Sequence, residues 1–175
     1  YIDLRSGKTL FEQPKSFDLG GGITAKTVHY EKFMGYQQDG TEHGWDVDFP
    51  EISGLSDKKV QNTINSEIRS FFLKGPSVTA EYDALEGSYG ASVEVSVLVV
   101  WANCESGKGA GSSVWNNCLA FDLHTGTQYT LNDLLTGDYI ETVKKLLPDD
   151  HAIYLYSYPR ISTKGVTYFY NEYES

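Results

Sequence analysis

Between residues 39 and 51 the chain carries Asp39, Glu42, Asp46, Asp48 and Glu51, with no Lys or Arg among them. Within this run, Trp45-Asp46-Val47-Asp48-Phe49 alternates apolar and acidic residues. An extended strand would therefore send both aspartates to one face, their side chains about 6–7 Å apart. That separation suits the two carboxyls of an inverting glycoside hydrolase, but nothing marks one of them as the raised-pKa acid. Calcium would want a Gly-turned loop of oxygen ligands, which an alternating strand does not supply. Three uses stay open for the run. It is a solvated strand face, a patch that focuses its field on a cationic partner, or a carboxylate pair for metal binding or hydrolysis.

The two cysteines, Cys104 and Cys118, bracket the flexible stretch Glu105-Ser106-Gly107-Lys108-Gly109-Ala110-Gly111-Ser112-Ser113. Pairing them would close a loop of about 15 residues, worth about 3 kcal/mol in the chain-entropy treatment. A structural disulfide is therefore expected, and with it an oxidising compartment. The alternative is a pair of reduced, buried thiols. A zinc site is not expected, because two cysteines without a CxxC spacing fall short of four ligands.

The four histidines are isolated from one another in sequence, and only His43, beside Glu42, reads as close to acids. Near the C-terminal end Tyr168, Tyr170 and Tyr173 offer an aromatic face for a protein or glycan, or simply edge-strand packing. No GxSxG, HExxH or P-loop pattern occurs, and the glycine-rich Gly107-Lys108-Gly109-Ala110-Gly111 lacks Ser or Thr after its Lys. Neither an enzyme nor a cofactor is expected.

A net charge of −10 disfavours nucleic acid, whose phosphates call for clustered Lys and Arg. It equally disfavours an anionic membrane surface and favours a cationic partner. The longest apolar run, Val95 to Ala102, is too short for a membrane span. The chain starts at Tyr1 without a signal peptide, as expected of a processed or excised segment.

The 175 residues, 40% apolar and 14% aromatic, can bury a real core. Asp3 to Lys8 and Asp122 to Thr127 read as hairpin turns with Gly in the left-handed position. Gly22 to Lys32 and Trp45 to Phe49 read as strands, the second ended by Pro50. Ser56 would cap a helix with Val60, Ile64, Ile68 and Phe71 in one stripe, stopped by Gly75-Pro76. Val78 to Leu85 and Ala91 to Ala102 follow as strands, the latter central because both faces turn apolar. Val114 to Leu123 is its hairpin partner. Thr130 and Asp133 approximate a capping box, and Tyr139, Ile140, Val143, Leu146 and Leu147 line a second helix up to Pro148. Ala152 to Tyr158 and Gly165 to Tyr170, with a turn at Lys164-Gly165, complete the strands. The expected class is α+β, mostly antiparallel sheets with two amphipathic helices packed on them.

Two scaffold motifs carry a family resemblance. Phe49-Pro50-Glu51-Ile52-Ser53-Gly54-Leu55, followed by Lys59-Val60-Gln61 and Ile64-Asn65, resembles the PdaC-like domain that precedes the catalytic part of PdaC-type peptidoglycan deacetylases. Phe121-Asp122-Leu123 with Thr125-Gly126 and Leu131-Asn132-Asp133-Leu134-Leu135 resembles the RsiV-like domain, whose final strand is similar to Gly165 to Glu174. Gly109-Ala110-Gly111-Ser112-Ser113 stands where that domain has a His-containing glycine-rich segment. The resemblance implies a PdaC-like region at 16–86 and an RsiV-like region at 87–175, with an N-terminal hairpin or extension at 1–15. It further implies an extracytoplasmic ectodomain, secreted or membrane-anchored through a segment outside this sequence, of the kind found in lysozyme-sensing anti-sigma factors. The partner implied is lysozyme or a similar cationic protein, or alternatively cell-wall glycan. The residues expected to meet it are Asp39, Glu42, Asp46, Asp48, Tyr168, Tyr170 and Tyr173.

Overall fold

The structure is a computed structural model that describes residues 15–36, 42–74, 84–108, 111–134, 160–162 and 165–167. Strand β1 (Ser16–Gly20) turns through a run of glycines into the long strand β2 (Ile23–Tyr36), which pairs antiparallel with β3 (Glu42–Ser53). Helix α1 (Lys58–Lys74) follows, then β4 (Ala84–Glu94), which returns parallel to β3. Strands β5 (Val97–Lys108), β6 (Gly111–Asp122) and β7 (Gln128–Tyr129) add on antiparallel, giving a seven-stranded sheet in sequence order. A one-turn helix α2 (Leu131–Leu134) comes next, and β8 (Arg160–Ser162) and β9 (Gly165–Thr167) form a separate hairpin.

The α+β class with mainly antiparallel pairing holds, with one parallel junction at β3–β4. That junction is a consequence of α1, since a parallel return needs a crossover connection and a helix supplies it. Among the described residues one long helix, α1, is present, where two amphipathic helices were expected. The stripe expected from Tyr139 to Leu147 lies outside the described residues, as do the turn at 3–8 and the strand at 152–158. Strands on both sides of the expected 86/87 boundary share one sheet and one core, and the boundary itself falls within β4.

Helix α1 starts one residue later than its sequence suggested. Asp57, not Ser56, is the cap: its Oδ1 accepts from the N–H groups of Lys59 and Val60 at 2.7 and 3.2 Å. The stripe that α1 buries is Val60, Ile64, Ile68 and Phe72, with Phe71 only partly covered. A shift from residue 71 to 72 follows from helix geometry, because the i, i+4, i+8, i+12 row drifts slowly around the axis. Phe72 stacks on Phe49 of β3 with ring centroids 5.9 Å apart. Burying each of these side chains contributes about 1.5–3 kcal/mol.

Two strand boundaries also differ from expectation. Pro50 does not end β3, which runs on to Ser53 with Pro50 opposite Thr27. The β4 ladder covers only Trp45, Asp46 and Val47, so at Pro50 β3 is paired on one side and the missing N–H breaks no rung. On that vacated side α1 steps in, and Asn65 hydrogen-bonds the backbone of Ile52. The run Ala91 to Ala102 is not one strand. It folds back at Val95-Ser96, a two-residue hairpin between Glu94 and Val97, with Val95 at φ 60°. The fold-back also explains why both faces of the run are apolar near its end, since β5 is central and Leu98, Val99 and Val100 are all buried.

Past this hairpin the sheet is shaped by close contacts. Gly90 has room only for hydrogen, because a Cβ there would strike the Trp101 indole of the facing strand. In β4, Tyr89 reaches back to the first strands, stacking on Phe17 at 5.9 Å and sharing a 2.8 Å hydroxyl–hydroxyl bond with Thr27. The turn after β6 forms as its sequence suggested. Gly126 adopts φ 75°, and Asp122 Oδ1 accepts from the N–H groups of His124 and Thr125 while Oδ2 accepts from the Tyr129 hydroxyl. These bonds hold the Asp122 carboxyl down at about 2. The capping pair is present too, with Asp133 Oδ2 accepting from the Thr130 N–H and hydroxyl at 2.7 and 2.6 Å.

Candidate functional site

The ladder of β2 with β3 places His29 opposite Asp48 and Glu31 opposite Asp46. Because alternate residues on a strand share a face, these four side chains form one cluster on the sheet surface. His29 Nδ1 lies 3.0 Å from Asp48 Oδ1 and 3.6 Å from Asp46 Oδ1, and its Nε2 lies 3.9 Å from Glu31 Oε2. Asp46 and Glu31 keep 68% and 73% of their side-chain surface in solvent, whereas Asp48 keeps 27%. Hydrogen bonding to Asp48 raises the His29 pKa above its ordinary value. Partial burial opposes the rise, and the charges of Asp46, Asp48 and Glu31 reinforce it.

The cluster merges with aromatic surface along β2. Phe33 is next in line on the His29–Glu31 row and faces Gly44, which contributes no side chain. Phe33 and Tyr36 are both well exposed and meet edge to face at 5.3 Å. On the opposite face, Lys32 lies 5.7 Å over the ring of Trp45, its cross-strand partner, and Trp45 meets Tyr30 edge to face at 6.3 Å. The result is a strand surface with exposed carboxylates at one end and exposed rings at the other.

Of the residues expected to meet a partner, Asp46 and Asp48 sit in this cluster on one face of β3, as their alternation required. Glu42 opens β3 opposite Tyr36. Asp39, Tyr168, Tyr170 and Tyr173 lie outside the described residues. Sequence reading missed His29 and Glu31 as neighbours of the aspartates and looked to His43 instead. Their spacing of two residues was a usable signal. The pairing that brings them to Asp46 and Asp48 across the hairpin was not visible in the sequence.

The cysteine expectation is corrected. Cys104 and Cys118 are thiols, not a disulfide. The register explains why: Cys104 pairs with Trp115, and Cys118 pairs with Trp101. Trp101 and Cys104 are three residues apart on β5, so the two thiols project from opposite faces of the sheet. A disulfide needs Cβ atoms within about 4.5 Å and facing each other, which this register forbids. Burial pushes both thiols up to about 12.

Among the described residues no group of three or more His, Cys, Asp or Glu side chains has the arrangement of a metal site. An open depression of about 580 Å³ is lined by Lys58, Lys59, Asn62, Thr63, Ser66 and Glu67, all on α1 and none of them in the acidic cluster. No helix among the described residues is long and apolar enough to cross a membrane.

No family model matches the sequence, and no curated protein matches it. Solved structures do resemble the fold. A member of the DUF3298 family from Bacteroides fragilis superposes with a TM-score of 0.51 at 15% identity, over 74% of this chain and 68% of that one. A DUF3298 family protein from Pseudomonas aeruginosa PAO1 gives a TM-score of 0.42 at 10% identity, over 69% and 62% of the two chains. DUF3298 is linked to the PdaC-like and RsiV-like domains. The likeness to the Bacteroides protein concerns the fold.

Proposed function

We propose that this chain is a non-enzymatic, extracytoplasmic binding or sensing module that recognises a cationic protein, with lysozyme the first candidate. The observation that carries the reading is the convergence of Asp46, Asp48 and Glu31 around His29 on an exposed strand face. Like charges gathered on one face focus the field and steer an oppositely charged partner, and the net charge of −10 adds a longer-range pull. Exposed rings at Phe33 and Tyr36 give such a partner an apolar anchor beside the charges, the composition that supports affinity as well as attraction. The resemblance to lysozyme-sensing ectodomains supports both the partner class and the location outside the cytoplasmic membrane.

The test is binding of the purified chain to lysozyme at low and at physiological salt. Saturable binding that persists at physiological salt and weakens in the Asp46→Asn/Asp48→Asn variant is the expected result. Binding that vanishes at physiological salt is charge attraction alone and removes lysozyme as the specific partner.

A second reading is a cell-wall glycan-binding accessory module, favoured by the exposed Phe33–Tyr36 pair, since aromatic faces stack on sugar rings. Co-sedimentation with purified peptidoglycan that is lost in Tyr36→Ala would support it, and no co-sedimentation would dispose of it.

A further inference from the structure

Among the described residues the side of β2 away from β3 is only half paired. Strand β1 pairs with Ile23 to Lys26, and among the described residues the last backbone bond on that side runs from the Thr27 N–H to the Lys15 carbonyl at 3.0 Å. From Val28 to Phe33, β2 stays in unbroken register with β3, but among the described residues no strand pairs with its outer edge. Beyond Phe33 a bulge carries the chain to Gly35 at φ 133°, so the regular edge is six residues long. Such an edge presents alternate N–H and C=O groups in the spacing that an incoming strand needs.

We propose that this edge takes up an extended segment of the cationic partner, which adds to the sheet beside Val28 to Phe33 as an extra strand. The side chains flanking the edge set its chemistry. On one face are His29, Glu31 and Phe33, backed by Asp46 and Asp48 of β3. On the other are Val28 and Tyr30, partly buried against the core, and Lys32 over Trp45. An added strand places its alternate side chains beside these two rows. The segment that fits therefore alternates Lys or Arg, toward the carboxylates, with apolar residues, toward Val28 and Tyr30. A second copy of this chain fits poorly, because it would bring another Glu31 and His29 row and another net charge of −10 to the same edge. The inference rests on the proposed recognition of a cationic protein and specifies how that partner docks.

The experiment uses a Lys-Val-Lys-Val-Lys-Val peptide and the same peptide N-methylated at alternate residues, which keeps its charge but removes one hydrogen-bonding edge. Binding is measured at physiological salt, and amide hydrogen exchange is followed in the full chain. The expected result is saturable binding of the unmethylated peptide, at least tenfold weaker binding of the methylated one, and slowed exchange confined to the outward-facing amides of His29, Glu31 and Phe33. Equal binding of the two peptides, or protection elsewhere, overturns strand addition. Protection of the outward amides of His29, Glu31 and Phe33 without peptide also overturns it, since those of Val28, Tyr30 and Lys32 already face β3. In that case, dependence on protein concentration would identify a second copy as the occupant, and loss on deletion of residues 1–14 would identify the chain's own N-terminal segment. Lysozyme binding that weakens in Asp46→Asn/Asp48→Asn but leaves exchange at 28–33 unchanged sinks this inference while the acidic-face reading stands.

Discussion

The side-chain amide of Asn65 on α1 bonds both backbone groups of Ile52 on β3, accepting from its N–H at 2.8 Å and donating to its C=O at 2.9 Å. A neighbouring strand would make the same two bonds. Strand β4 has left β3 by this point, its ladder ending at Val47, and the helix supplies the missing rung through one side chain. Ile52 is fully buried, so its backbone has no recourse to water.

Replacing Asn65 with Ala should therefore destabilise the fold by about 1–3 kcal/mol, the cost of leaving buried backbone groups unpaired. Asn65→Asp should be worse than wild type at neutral pH, since a carboxylate accepts from the N–H but cannot donate to the C=O. It should recover part of the loss in acid, where protonation restores a donor. Urea denaturation gives the midpoints, and an unchanged midpoint in both variants would mean that the clamp contributes nothing.

Val95 should be the easiest position to improve. It holds φ 60° at the β4–β5 hairpin, where a β-branched side chain is strained, and it is 92% exposed, so its side chain packs against little. Val95→Gly should stabilise the protein by about 1 kcal/mol through relief of that strain. A thermal melt reads it directly, and a lower melting temperature would contradict the strain argument.

The thiols should behave as buried, unreactive groups. With both pushed up to about 12 by burial, almost no thiolate exists near neutral pH. Alkylation should be slow in the native protein and go to completion at both cysteines in denaturant, and a reducing agent should leave the melting temperature unchanged. A native mass lighter by two hydrogens, restored on reduction, would overturn the register argument.

The His29 cluster makes pH a variable. Folding raises the His29 pKa above 6.5, so its protonated form contributes stability that is fully present below 6.5 and is lost as pH rises through the folded value. Its half-exposed position keeps the effect small. An NMR titration should find His29 titrating above 6.5 in the wild type and lower in Asp48→Asn, because the Asp48 hydrogen bond is the largest cause of the rise. An unmoved titration would show that Asp48 is not the partner in solution.

Much of the local structure was legible along the chain. The Val60–Ile64–Ile68 stripe declares an amphipathic helix, Trp45 to Phe49 declares a half-buried strand, and Asp122 with Gly126 declares a turn. Each depends on neighbours within a few residues, whose spacing alone fixes which side chains share a face. Hairpin placement was harder. A run of apolar residues from Ala91 to Ala102 looks like one central strand until the fold-back at Val95 divides it, because a buried strand and two buried strand halves have the same composition.

Residue order alone carries the inventory: an acidic strand face with Asp46 and Asp48 on one side, a helix with one buried stripe, a capped turn after residue 121, and a net charge of −10. Tertiary structure alone decided which of these pieces meet. Pairing of β2 with β3 brings His29 and Glu31 to the aspartates, α1 carries Asn65 to Ile52, and the β5–β6 register turns Cys104 and Cys118 to opposite faces. The physical reason is the same in each case. A side chain's type and local face follow from short-range geometry, whereas its cross-strand neighbour follows from register, and a shift of one residue reverses every face.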